Sequence, residues 1–253
     1  MLDINPYILP INKESVANIS SSIAIVKEAE KAGVRKIIAA PRYIQEKQEV
    51  NKDTIISLVE KINQQLVEEN INVEIIPGQT IRIYGNLEDD IENGSLITYG
   101  TEPKYVFIEL MYDYIPEYTK QLCYELQLKG YKPVLVNPEK NLQIQEDDDN
   151  LYSMVKNGAL VQVSAKSIAG KNGKKLQKLT QQFVKSNLVH FVGSDTSEAK
   201  EYYLEPAWKM IKRNTSFNQW YVLRENMSLL LDNKMVQGEE PARIKKKKLF
   251  GLI

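Results

Sequence analysis

The sequence predicts an α/β fold, an irregular TIM-like barrel of seven parallel strands, and three observations predict it. Short apolar runs recur along the chain. They are continuous rather than alternating, as in strands buried on both faces. Longer stretches of helical periodicity separate them, and strand–helix alternation at this pitch means βαβ units and a parallel sheet. A doubly wound open sheet is the alternative arrangement of the same units.

The runs are Leu2–Leu9, Val34–Ala40, Ile71–Pro77, Tyr105–Glu109, Lys132–Val136, Leu160–Ser164 and Leu188–Gly193. Between the first two, Ser20–Ala32 places Ile23, Ile25, Val26 and Ala29 at helical spacing, and Gly33 stops it. Thr54–Asn70 follows with Ile55, Leu58, Val59, Ile62 and Leu66, capped by Asp53 or Thr54. Pro116–Lys129 ends at Gly130, and Leu151–Asn157 ends at Gly158. Gly173–Ser186 and Arg224–Asp232 complete the helices.

The chain has 253 residues, 43% of them hydrophobic, which suits one domain with a substantial core. We expect that domain over residues 1–240, followed by a basic tail over residues 241–253. The formal charge is +0, which argues against a nucleic-acid partner. The single cysteine, Cys123, fits a reducing compartment. The start MLDINPYILP lacks a basic segment before a long apolar run, and no apolar run is long enough to cross a bilayer. The expected location is the cytoplasm.

A parallel barrel carries its site at the C-terminal ends of its strands. Here those ends read Asn5 and Tyr7, Arg42, Thr80, Glu109, Asn137, and Asp195 with Ser197. Ligands for a catalytic metal cluster are mostly His, Asp and Glu. Of these positions only Glu109 and Asp195 qualify. The one histidine, His190, lies inside a strand pattern.

Several motifs carry a resemblance that runs nearly end to end. They include Met1-Leu2-Asp3-Ile4 with Ile8-Leu9-Pro10, Ile37-Ile38-Ala39-Ala40-Pro41, and Pro77-Gly78-Gln79 followed by Ile81-Arg82-Ile83-Tyr84-Gly85. Further on come Tyr124 to Tyr131, Asn137-Pro138-Glu139, His190 to Asp195, and Lys246 to Gly251. In these the chain resembles the bacterial polymerase-and-histidinol-phosphatase (PHP) family, in its manganese-dependent protein tyrosine phosphatase branch of capsule and exopolysaccharide regulation. The resemblance implies the PHP-type (β/α) barrel and, in an active member, a phosphotyrosine hydrolase with a cluster of divalent ions. It also implies a partner, a bacterial tyrosine autokinase with a phosphotyrosine tail.

The departures bear on activity. The branch opens with Asp-x-His-x-His, and Asn5 and Tyr7 stand at those His positions. Arg42 replaces a His, Thr80 a Glu, Asn137 a His, and Ser197 a His, while Glu109 and Asp195 are kept; six of the eight ligand positions have changed. Lys140 stands where the branch has an Arg, and a further Arg that holds substrate phosphate falls at or near Tyr202. The expectation is a degenerate metal site and a pseudophosphatase that binds a kinase or its phosphotyrosine tail. No cofactor is expected; manganese or another divalent ion would accompany residual activity. The alternative is an active or weakly active metal-dependent phosphatase.

The chemistry supports that expectation. Asn, Thr and Ser offer neutral oxygens, weak ligands for transition metals. Tyr7 would have to ionise far below its usual pKa of about 10. A guanidinium about 4 Å from a divalent ion costs on the order of 8 kcal/mol at an effective dielectric of 20. Arg42 is instead expected to pair with Glu109, Asp195 or both. Arg42, Lys140 and Tyr202 are the candidates for holding phosphate, with Tyr7 and Tyr112 on the rim.

Other residues have plainer readings. His190 is expected to be a strand histidine with a satisfied ring nitrogen, and Cys123 a core residue without a Cys-x5-Arg loop. Gly170 to Lys175 lacks the Gly-Lys-Ser/Thr pattern of a phosphate loop. Glu146–Asp149 reads as a solvated loop. Lys245–Lys248 reads as a frayed terminus or a contact to an acidic membrane surface.

Overall fold

The structure is a computed structural model describing residues 1–47, 50–102 and 104–244. Its strands are β1 (Leu2–Asn5), β2 (Lys36–Ala39), β3 (Arg42–Tyr43), β4 (Glu74–Pro77), β5 (Thr80–Arg82), β6 (Lys104–Glu109), β7 (Tyr131–Val136), β8 (Leu160–Ser164) and β9 (Phe191–Gly193). All neighbours pair in parallel, in one sheet ordered β1-β2-β4 and another ordered β3-β5-β6-β7-β8-β9.

The two sheets follow one curl. β3 continues the path of β2 beyond Ala40 and Pro41, and β5 continues that of β4 beyond Gly78 and Gln79. Pro41 has no N–H to give to a ladder, so pairing is interrupted there. Gly78 donates its N–H to the Ala39 carbonyl at 2.8 Å, and a Cβ on it would come within 2.6 Å of the Ile38 side chain. Among the described residues, nine strands less these two continuations leave seven positions in the curl, the number the apolar runs predict. The fold is a curled parallel α/β sheet.

The ends of the curl, β1 and β9, meet without forming a ladder. Side chains bridge the seam instead: the Ser194 N–H donates to Asp3 Oδ1 at 2.8 Å and Asn5 Nδ2 donates to the Thr196 carbonyl at 2.9 Å. Approach is close enough that a Cβ at Gly193 would lie 2.5 Å from the Ile4 carbonyl oxygen. Only glycine fits.

Helices cover the outside of the curl. Asn18 and Asn51 cap the helices Ile19–Lys31 and Lys52–Glu68 by accepting N–H groups of Ser21 and Thr54. Ile23, Val26, Ile55, Val59 and Ile62 are buried in the same apolar core as strand residues such as Ile37, Val106 and Val134. The helix expected from Arg224 starts earlier, at Phe217, behind a Ser216–Gln219 capping box. Exposed Phe217 and Tyr221 blur the apolar stripe there. The helix Leu204–Asn214 was not expected; its Pro206 sits in the first turn, where the missing N–H costs nothing. Leu87–Glu92, Leu142–Glu146 and Ala165–Ile168 are too short for periodicity to reveal.

Residues 241–244 are held against the domain. Ala242 donates its N–H to the Ser186 carbonyl at 2.9 Å, and Arg243 pairs with Asp149 and lies over the Tyr152 ring. Lys245–Lys248 lie outside the described residues. Among the described residues no helix is long and apolar enough to cross a membrane.

Candidate functional site

The expected strand-end residues come together at one mouth. On β1, Asn5 is fully buried, and its Oδ1 accepts the Tyr7 N–H at 2.9 Å. That local turn aims Tyr7 into the mouth. Burial, and then the charge of Asp195, push the Tyr7 hydroxyl above its ordinary pKa, so it stays a phenol. Thr80 is buried beside Arg42, its register partner across β3 and β5.

One side of the mouth is built on Glu109, the last residue of β6. Arg42 grips it side-on, Nε to Oε2 at 2.7 Å and Nη2 to Oε1 at 2.7 Å. Arg82 adds Nε and Nη2 to the same Oε2 at 2.9 and 2.8 Å. The remaining Arg42 nitrogen, Nη1, reaches Glu14 at 2.5 Å. Burial opposes the Arg42 charge, but Glu109, Tyr7 and Glu14 outweigh it and hold the guanidinium above its ordinary pKa.

The other side is built on Asp195. Lys140 pairs with its Oδ2, and Asn137 Nδ2 donates to its Oδ1 at 3.1 Å. Asn137 (φ 50°) and Asp195 (φ 53°) are both left-handed, a conformation their short polar side chains tolerate better than most. The turn directs both side chains inward. Burial disfavours the Lys140 charge, but Asp195, then Glu139, reverse the balance and raise its pKa. Glu139 is fully buried; burial pushes its carboxyl above the usual range, and it accepts the Ser164 N–H at 3.0 Å.

Ser197 lines the rim with Lys166, which pairs with Glu201. Tyr202 points inward. Its hydroxyl donates to buried Asp3 at 2.8 Å, and burial together with Asp3 pushes its pKa well up. Tyr112 is exposed on the rim.

Three hollows of about 290, 390 and 420 Å3 open around Arg42, which lines all of them. The sequence reading missed Arg82, Glu14 and Lys166. Arg82 had a signal, since it lies two residues beyond Thr80 on one strand and so faces the same side. Glu14 and Lys166 had none, because loops deliver them.

The fold implies divalent ions here, and the residues present do not fit them. Among the described residues no three His, Cys, Asp or Glu side chains gather as they would around a metal. The mouth carboxylates Glu109 and Asp195 already hold cations from this chain, and the donors beside them are an amide, a phenol and hydroxyls. Arg42 cannot give up its proton to make room.

The plainer candidates keep their plainer roles. His190 is buried, its Nδ1 accepts the Val161 N–H at 3.0 Å, and burial lowers its pKa to about 4. Cys123 is buried, with a thiol pushed up to about 12. Lys171 lies over the Tyr203 ring and Gly173 opens the helix Lys174–Lys185.

Comparison with known proteins agrees with this architecture. The model of a family described as capsular polysaccharide synthesis, CpsB/CapC, matches residues 1–232. The tyrosine-protein phosphatase YwqE of Bacillus subtilis is 35% identical over 253 residues, covering 99% of each chain. A crystal structure from the pair YwqE of Bacillus subtilis and CpsB of Streptococcus pneumoniae, metal-dependent tyrosine phosphatases, superposes with a TM-score of 0.92 at 34% identity. It covers 97% of this chain and 100% of that one. Histidinol phosphate phosphatase of Lactococcus lactis shares the fold, with a TM-score of 0.55 at 14% identity over 84% of this chain and 93% of that one.

Proposed function

The chain belongs to the capsular polysaccharide synthesis CpsB/CapC family, and from that premise we propose that its barrel mouth binds phosphotyrosine without hydrolysing it. One observation carries the proposal. The two carboxylates that stand where the family resemblance implies metal ligands are each neutralised by a cation of this chain, Glu109 by Arg42 and Asp195 by Lys140. The charges that metals would supply are present as fixed side chains, which attract a phosphate yet generate no nucleophile.

The ligand would be a phosphotyrosine in the tail of a tyrosine autokinase, met in the cytoplasm. Its phosphate carries roughly −1.5 to −2 charges and suits Arg42 and Lys140. Its ring can lie against Tyr7 and Tyr112. The affinity should be weak to moderate, because the mouth is already balanced: Arg42, Arg82, Lys140 and Lys166 face Glu14, Glu109, Asp195 and Glu201. The ligand must displace internal partners.

The name of the 35%-identical relative favours a second reading, an active metal-dependent phosphatase. That reading requires Arg42 and Lys140 to leave their carboxylates. One experiment separates the two. Phosphorylated and unphosphorylated peptides from a kinase tail are titrated against the protein, and hydrolysis is followed in excess manganese. We expect preference for the phosphopeptide and turnover at least about a thousandfold below an active relative, the scale of a lost catalytic metal. Equal affinity for both peptides overturns the binding reading. Turnover at the relative's rate overturns the loss of catalysis.

A further inference from the structure

We infer that Glu109 is a tethered internal occupant of an anion site formed by Arg42 and Arg82, and that the external ligand of this site is a phosphate monoester. The inference rests on the phosphotyrosine reading above and adds what regulates that site.

Two guanidinium groups converge on one carboxylate. Its Oε2 alone lies within 2.7 to 2.9 Å of Arg42 Nε, Arg82 Nε and Arg82 Nη2. A carboxylate oxygen has two lone pairs, so three donors crowd it. A phosphate monoester brings three acceptor oxygens and roughly −1.5 to −2 charges, a better match for two planar forks of donors. The carboxylate is in place because it is covalently attached, and tethering acts as a high local concentration.

The group is also able to exchange. The Arg42, Arg82 and Glu109 side chains keep 20%, 25% and 17% exposure, and a hollow of about 290 Å3 lies beside all of them. That leaves a path for a ligand and room for Glu109 to swing. Asp195, by contrast, is 2% exposed and bound to Lys140, so it has no comparable freedom. If Glu109 fills the site in the free protein, the apparent affinity for phosphate falls by the fraction of molecules in which it has left.

The test is Glu109→Gln, which keeps the size of the side chain and removes its charge. Inorganic phosphate and a phosphotyrosine peptide are titrated calorimetrically in the presence of a chelator, with thermal unfolding as the check on folding. We expect the variant to bind both ligands about tenfold tighter or more, since a tethered competitor has been removed. Adding Arg82→Met should erase that gain. Unchanged or weaker binding by the folded variant overturns the inference. Should Glu109→Gln not fold, Arg82→Met alone carries the test: lost phosphate affinity supports the site, and unchanged affinity overturns it. Phosphopeptide binding by the unaltered protein with no gain in Glu109→Gln sinks this inference and leaves the phosphotyrosine reading standing. A gain in the variant with no binding by the unaltered protein does the reverse.

Discussion

The Glu109 and Asp195 corners of the mouth stand at the ends of β6 and β9, and each has a cation beside it, yet they are held differently. Glu109 is partly exposed and shared by two arginines, with an open hollow alongside. Asp195 is almost completely buried and held by one lysine and one amide. A buried charge must be paired, because its desolvation is costly. At the Asp195 corner the pair therefore belongs to the structure. At the Glu109 corner the carboxylate itself stays within reach of water and a second guanidinium duplicates the first, so the pair can exchange. Pairing of a mouth carboxylate with a side-chain cation therefore gives a strut on one side and an accessible contact on the other.

The largest expected effect lies at the strut. Lys140→Met should destabilise the protein by about 3 kcal/mol, since it strands a buried carboxylate. Chemical denaturation measures this, and a loss under about 1 kcal/mol would break the distinction between the corners.

A second measurement supplies an internal reference far from the mouth. His190 is buried and neutral, with its pKa lowered from 6.5 to about 4. Below pH 6.5 the unfolded chain takes up a proton that the folded chain refuses. Stability therefore falls as pH drops from about 6.5 toward about 4 and levels off below that. The shift corresponds to about 3 kcal/mol. His190→Asn, which keeps an acceptor for the Val161 N–H, should remove that component. An unchanged pH profile in the variant would show that the histidine is not the buried neutral group described here.

The smallest effect belongs to the exchangeable corner. Arg42→Ala should cost about 1–2 kcal/mol, because the pair is partly screened and Arg82 still holds Glu109. A loss equal to that of Lys140→Met would erase the comparison, and a cost below that range would sharpen it.

Much of the mouth was legible in the sequence. Strands end where apolar runs end, and barrel strand ends face one side, so Asn5, Arg42, Glu109, Asn137 and Asp195 could be placed together from their positions alone. Their pairing was less legible. Arg42 could reach Glu109 or Asp195 by sequence reasoning, and the structure commits it to Glu109 while giving Asp195 to Lys140. Tyr202, expected near the phosphate, is turned inward to Asp3, since a phenol beside a buried carboxyl completes its hydrogen bonding. Arg82 went unread because an arginine at the last residue of a three-residue strand looks like any solvated charge.

What the sequence by itself determined is the order and number of strand positions, the polar residues at their ends and the chemical types available to the mouth. These follow from local patterning, which each segment carries independently of the others. Which cation meets which carboxylate, how deeply each pair is buried and where the hollows lie were decided only by the tertiary structure. Arg42 and Glu109 are separated by 67 positions, and Lys140 and Asp195 by 55. Nothing in a local window sets the distance between such residues; the curvature of the sheet and the left-handed turns at Asn137 and Asp195 do. Burial then sorts the carboxylates, because one taken out of water must keep its partner while one within reach of water can exchange it.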